Sequence, residues 1–159
     1  MILSDDRIAA RYISKIAKEH KEPAIYVGVF LAKMDRQRLL KAIPPVHPQI
    51  FADHLTLKFR DDPTDSIDIS EFPIGKTVSL KVVGMAENDK AQAVVVQGIK
   101  PEDGRIPHIT ISTATGVNPQ YSNELVGSGH ITPIKNGLVL RGTISWWDGL
   151  RSRTDGFRG

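Results

Sequence analysis

Apolar residues in this chain fall into strand-like patterns, some alternating with polar residues at a period of two and some running continuously, and a few stretches switch to helical spacing. The first switch is at the start. Ser4 followed by Asp5 and Asp6 is a helix N-terminus, an N-cap with acids over the positive end of the dipole. Ile8, Tyr12, Ile13 and Ile16 then recur on one face, which predicts a helix over about Asp5–Glu19, ended by Glu22-Pro23. Ala24–Ala32 is rich in β-branched and aromatic residues and reads as a buried strand. Ile25, Val27, Val29 and Leu31 share one of its faces; Tyr26, Gly28 and Phe30 share the other. Lys33–Ile43 is a short helix with Met34, Leu39, Leu40 and Ile43 inward, stopped by Pro44-Pro45. A strand over Ala52–Arg60 completes a strand, helix, strand unit.

Asp61–Gly75 has no regular period and reads as a surface loop. Thr77–Met85 and Gln92–Ile99 are strands joined by the turn Glu87-Asn88-Asp89-Lys90. Lys100–Pro107 is a loop, and His108–Thr113 is the next strand. After the loop Ala114–Pro119, Asn118-Pro119 favours a helix over Gln120–Val126, closed by Gly127–Gly129. Ile131–Ile134 and Leu138–Trp147 are expected to pair as a hairpin across Lys135-Asn136-Gly137. Residues 148–159 are polar, basic and glycine-bearing, and read as a flexible tail. The expectation is an α+β fold, with curved antiparallel or mixed sheets backed by helices around a groove, in one domain over residues 1–159.

Composition narrows the chemistry. With 159 residues, 40% apolar and 25% charged, the chain is long enough for a real core and ordinary for a soluble protein. It has no cysteine, which excludes disulfides, zinc-thiolate sites and a thiol nucleophile. No apolar run approaches the about 20 residues that span a bilayer, and the N-terminus has no signal-peptide core, so a cytoplasmic address without membrane attachment is the default expectation. The net charge of +3 suits an anionic ligand mildly, with positive residues gathered at Lys33–Lys41, at Lys58 and Arg60, and at Arg151–Arg158. A monomer is the default oligomeric state.

Two stretches stand out, His54-Leu55-Thr56-Leu57 and His108-Ile109-Thr110-Ile111. On a strand each points one imidazole and one hydroxyl to one side and two apolar residues to the other. Two such strands meeting around one site could hold a phosphate and move protons on both sides of it. A third instance, His130-Ile131-Thr132, is discarded because Pro133 takes the fourth position and Gly127-Ser128-Gly129 breaks any strand before it. His20 at a helix end and His47 in a proline-rich turn are poor candidates. No spacing fits a metal site, no glycine-rich phosphate loop is present, and no cofactor is expected.

The two motifs resemble the paired H-x-T-x signatures of the two-histidine (2H) phosphoesterase superfamily, which includes LigT-like RNA 2′,3′-cyclic phosphodiesterases and phage nucleases that degrade cyclic oligonucleotide messengers of bacterial immunity. The resemblance implies two lobes related by a pseudo-twofold axis with the motif strands at the centre. It also implies hydrolysis by paired histidines, His54 and His108, one as base and one as acid, without a required metal. Thr56 and Thr110 would bind the non-bridging phosphate oxygens.

Alternation adds Lys58 to the His54 face and Ser112 to the His108 face as phosphate contacts. Tyr26, Phe30 and Trp147 are candidates to stack on a base, Trp147 foremost because Arg141, Thr143 and Ser145 on its face are polar. Arg141 is a further phosphate candidate, and Tyr12 a candidate cover for a ligand. Three functions are compatible with this reading. The first is an enzyme opening cyclic phosphates or related phosphodiesters of RNA ends or nucleotides. The second is a phage-type nuclease of cyclic oligonucleotides. The third is a non-catalytic nucleotide- or RNA-binding module.

Overall fold

The structure is a computed structural model, and it describes residues 23–155. The helix expected over Asp5–Glu19, with Tyr12, and His20 beyond it, lie outside the described residues. The elements run β1 (Tyr26–Leu31), α1 (Lys33–Ala42), β2 (Gln49–Ile50), β3 (His54–Phe59), β4 (Thr77–Glu87), β5 (Ala91–Gln97), β6 (His108–Thr113), α2 (Ser122–Gly127), β7 (Thr132–Pro133), β8 (Val139–Trp147) and β9 (Ser152–Arg153).

The alternating strands cannot bury their apolar faces singly, and they solve this by curling into a ring. Strands β4, β5, β6, β3, β1 and β8 pair in that order, and β8 pairs back onto β4. Every described pairing is antiparallel. The inward residues fill the ring as one core that includes Val27, Val29, Leu55, Leu57, Leu80, Val82, Ile109, Ile111, Leu140 and Ile144. Burying each such side chain is worth about 1.5–3 kcal/mol. The sheet-dominated α+β class stands, and the expected separation into two lobes is corrected. Closing one sheet satisfies the edges of β4 and β8 that two lobes would leave open.

Among the described residues, two helices lie against the ring. In α1 Leu39 is buried and Ile43 follows it into the core, but Met34 is exposed and Asp35 turns inward, accepting from Arg38 Nη1 at 3.0 Å. Helix α2 is preceded by a 3-10 turn at Pro119–Tyr121, capped by the Asn118 side chain. Leu125 and Val126 of α2 pack with Ala93 and Val95 outside the ring in a second, smaller cluster.

Two further expectations change. The segment after α2 does not form a hairpin with β8; β7 pairs with β4 through Gly84 and Met85 instead. The opposite edge of β4 already carries β5, and beyond the bulge near Val82 the strand is free to take β7 where β8 has ended. The tail expected to be flexible is tied down as far as Asp155. Arg153 pairs in register with Trp146, its guanidinium sits 4.6 Å from the Trp146 ring centroid, and Trp146 Nε1 donates to the Asp155 carbonyl at 2.6 Å.

Candidate active site

Strands β3 and β6 meet at the thinnest seam of the ring, where Leu55 faces Ile109. Both are fully buried, so the residues flanking them in sequence must point outward. Continuing the antiparallel register one step either way sets His54 against Thr110 and Thr56 against His108. The two imidazoles thus lie on one diagonal of a four-residue array and the two hydroxyls on the other. All four line a cleft of about 640 Å³ on the outer side of the ring, within the size range of ligand sites.

A kink before β3 gives the seam its opening. Ala52 is buried with φ 56, a conformation costing about 1–3 kcal/mol for an L-residue. Its N–H donates to the Thr110 carbonyl at 2.8 Å, and Arg36 Nε holds the neighbouring Phe51 carbonyl at 2.9 Å. The kink turns Asp53 out beside the site, where its Oδ1 lies 2.7 Å from His54 Nδ1.

The two histidines sit in different environments. His108 Nδ1 lies 2.8 Å from the Ile106 carbonyl and can only donate to it, which leaves Nε2 toward the cleft. Burial lowers the His108 pKa, against the pull of that carbonyl and with help from the charges of Arg105 and His54. His54 lies against two rings, 4.8 Å from Tyr26 and 5.3 Å from Phe30, both nearly parallel to it. Burial works to raise the pKa of Asp53. The hydrogen bond and charge of His54, its own backbone N–H and the Arg36 guanidinium outweigh burial and hold the carboxyl below its ordinary value. Burial, and then the Asp53 charge, push the Tyr26 phenol far up, so it stays protonated at neutral pH.

Thr110 Oγ1 donates to Ser122 Oγ at 2.9 Å. Hydroxyls rotate, so Ser122 can donate instead and free the Thr110 proton for a bound oxygen.

The aromatic candidates on β1 and β8 do converge. Tyr26 and Trp147 stack at 5.9 Å and both line the cleft; Phe30 supports His54 behind them. Three expected phosphate contacts lie elsewhere. Lys58 is turned away by a bulge: Gly28 pairs with Thr56 but Val27 pairs with Lys58, so one residue of β3 is extra and the alternation inverts. Lys58 binds Glu102 at 3.3 Å instead, and Phe59 takes the cleft position against Tyr26. Ser112 is fully buried and donates to Gln92 Oε1 at 2.7 Å, because this part of β6 is covered by β2 and the segment before it. Arg141 is exposed at the far end of β8 beside Ser79, about 20 Å from Trp147 at ordinary strand rise.

The cleft also holds residues that the alternation pattern did not single out: Asp53, Phe59, Arg60, Arg105, Asn118 and Gln120 from the turn before α2, and Asn123 from the first turn of α2 itself. Asp53 carried a signal, an acid directly before the motif histidine. Phe59 did not, since the bulge is invisible without the partner strand. Among the described residues, no group of three or more histidine, aspartate or glutamate side chains is placed to hold a metal ion. No described helix is long and apolar enough to cross a membrane.

No protein-family model matches this chain, and no curated protein matches its sequence. Among solved structures it is similar to the crystal structure of a fungal RNA kinase, at 14% identity and a TM-score of 0.55 over 78% of this chain. The match covers 45% of the fungal chain, so this chain spans less than half of that neighbour, and the likeness is one of fold.

Proposed function

We propose that this chain is a phosphodiesterase of the two-histidine type, hydrolysing a 2′,3′-cyclic phosphate or a related phosphodiester at an RNA end or in a nucleotide, with residues 1–159 acting as one unit. The observation that carries the reading is the Leu55–Ile109 pairing, which gathers two imidazoles and two hydroxyls around one local twofold in a single cleft. A phosphate seated on the array has an imidazole on either side for the attacking water and the leaving oxygen. The hydroxyls of Thr56 and Thr110 serve its non-bridging oxygens, whose charge must be met as the fifth bond forms.

The cleft exceeds what one phosphate needs. Tyr26, Phe59 and Trp147 offer flat faces to a base, and Arg60 and Arg105 offer charge to further phosphate. This favours a nucleotide or oligonucleotide substrate. The fold shared with a fungal RNA kinase supports an RNA end, while the aromatic wall equally suits a small cyclic oligonucleotide.

The test is hydrolysis with chelator present. The panel contains 2′,3′-cyclic mononucleotides, an RNA ending in a cyclic phosphate and several cyclic oligonucleotides. Turnover by the wild type that disappears in His54→Ala/His108→Ala supports the reading, and the best substrate names the class. Binding without turnover of any member would overturn it in favour of a non-catalytic nucleotide-binding module.

A further inference from the structure

We infer that the outer face of β8 and β4 is a docking strip for single-stranded RNA. The nucleotides upstream of the scissile phosphate leave the aromatic end of the cleft along β8, and their backbone phosphates meet Arg141 and Lys81. The inference rests on the phosphodiesterase reading above and names its substrate as the end of an RNA chain rather than a small nucleotide.

The strip begins where the cleft ends. Tyr26, Phe30 and Trp147 stand on the outer side of β1 and β8 with their ring planes within 14° of one another. Phe30 pairs in register with Thr143, so the rings extend past the cleft along β8. Arg141 is the next outward residue of β8 after Thr143, one two-residue step of about 7 Å further on. Parallel aromatic faces leading to a cation are what a single strand needs, stacking for its bases and charge for its backbone.

Beyond Thr143 the surface is basic. Leu80 and Leu140 pair and are fully buried, so their neighbours in sequence point outward. This sets Ser79 against Arg141 and Lys81 against Val139, with Arg141 and Lys81 diagonal neighbours at about 7–8 Å. Both are exposed, and neither has an acidic partner among the described residues. No acid lies among the outward residues of either strand along this stretch. Helix α1 adds to the charge. Ala32 N donates to the Arg141 carbonyl at 3.0 Å, which places the exposed Lys33 at this end of β8. Arg38 Nη1 donates to the Val139 carbonyl at 3.0 Å and shares its charge with Asp35.

The distance selects the ligand. Arg141 lies about 20 Å along β8 from Trp147 at ordinary strand rise. A mononucleotide seated on the histidine and threonine array does not span that length, and a chain of several nucleotides does. Arg141, which the cleft does not use, thereby gains a phosphate to bind.

The experiment compares wild type with Lys81→Gln/Arg141→Gln on three probes: a 2′,3′-cyclic mononucleotide, a cyclic dinucleotide and a single-stranded RNA octamer ending in a 2′,3′-cyclic phosphate. Wild type should prefer the octamer in kcat/KM, and the variant should lose roughly tenfold or more on the octamer alone at low salt. The mononucleotide rate doubles as the check that the variant is folded. A second variant, Lys90→Gln/Lys100→Gln, removes the same charge outside the strip and should keep the preference. Anisotropy of a fluorescein-labelled octamer should show the slope of log affinity against log salt falling by about 0.7 for each lost phosphate contact in Lys81→Gln/Arg141→Gln. No preference of wild type for the octamer, an equal loss on either small probe, or an equal loss in Lys90→Gln/Lys100→Gln overturns the strip. Cleavage of no probe by wild type counts against the phosphodiesterase reading instead. The anisotropy then decides alone: a lowered slope upholds the strip, and an unchanged one overturns it.

Discussion

Leu55 of β3 and Ile109 of β6 face each other as a fully buried pair directly beneath the cleft. Each is flanked by the histidine and threonine of its motif, so one apolar contact in the core sets the spacing of four polar groups outside it. Truncating either residue therefore acts on stability and on the site together. Leu55→Ala should cost about 2–5 kcal/mol in urea unfolding and lower kcat/KM even where the protein remains folded. A stability loss with unchanged kcat/KM would show that the array is positioned by other contacts.

Removing the imidazoles should leave the fold in place. His54 and His108 are half-exposed, and their backbone pairings do not depend on the rings. Either alanine variant should retain the wild-type circular dichroism spectrum. On a substrate with a ribose leaving group, each should lose about 10²–10⁴-fold in kcat, the usual contribution of a positioned acid or base.

The bulge in β3 can be tested by a pair of substitutions. Lys58→Ala, which breaks an exposed pair with Glu102, should leave KM within error. Phe59→Ala should weaken nucleotide binding by about 1–3 kcal/mol, the worth of one stacked base, read by calorimetry or KM. The opposite ranking would mean that simple alternation continues to Lys58.

Gly28 is the close-approach point of β1 on β3. A Cβ there would lie 2.5 Å from the Leu55 carbonyl oxygen, an atom of the backbone that cannot swing away. Gly28→Ala should cost about 1–3 kcal/mol and disturb the seam beneath His54 and Thr56. Thermal unfolding and kcat/KM should fall together.

Stability should depend on pH through His108. Its folded pKa lies below the ordinary 6.5, so over the interval between the two values the unfolded chain holds more protons and stability rises with pH. The contribution is complete above the ordinary value and is lost as pH falls through the folded one. His108→Gln should flatten the slope of unfolding free energy against pH below about 6.5, and an unchanged slope would assign that dependence to other groups.

Much of the strand content was legible because a curled sheet with one filled side imposes a period of two on its sequence. The motif strands β3 and β6 followed from that pattern, and the hairpin of β4 and β5 from the turn Glu87-Asn88-Asp89-Lys90 between two strand-forming runs. The pattern failed where a strand departs from its own period. At the β3 bulge it put Lys58 in place of Phe59, and along β8 and β6 it extended a face to Arg141 and Ser112 that the cleft does not reach. It also paired the last two strands with each other, since a local Asn-Gly turn is visible in sequence and the competing edge of β4 is not.

By itself, the sequence determined that His54 and Thr56, and likewise His108 and Thr110, share a face opposite buried neighbours, because side-chain parity within a strand is a local property. Tertiary structure decided which strand lies beside which, and in what register. Only the pairing of Leu55 with Ile109 brings the motifs into one cleft, and only the kink at Ala52 brings Asp53 to His54 and makes the two imidazoles unequal. Register, bulges and ring closure are set by packing between residues far apart in the chain, and no local periodicity records them.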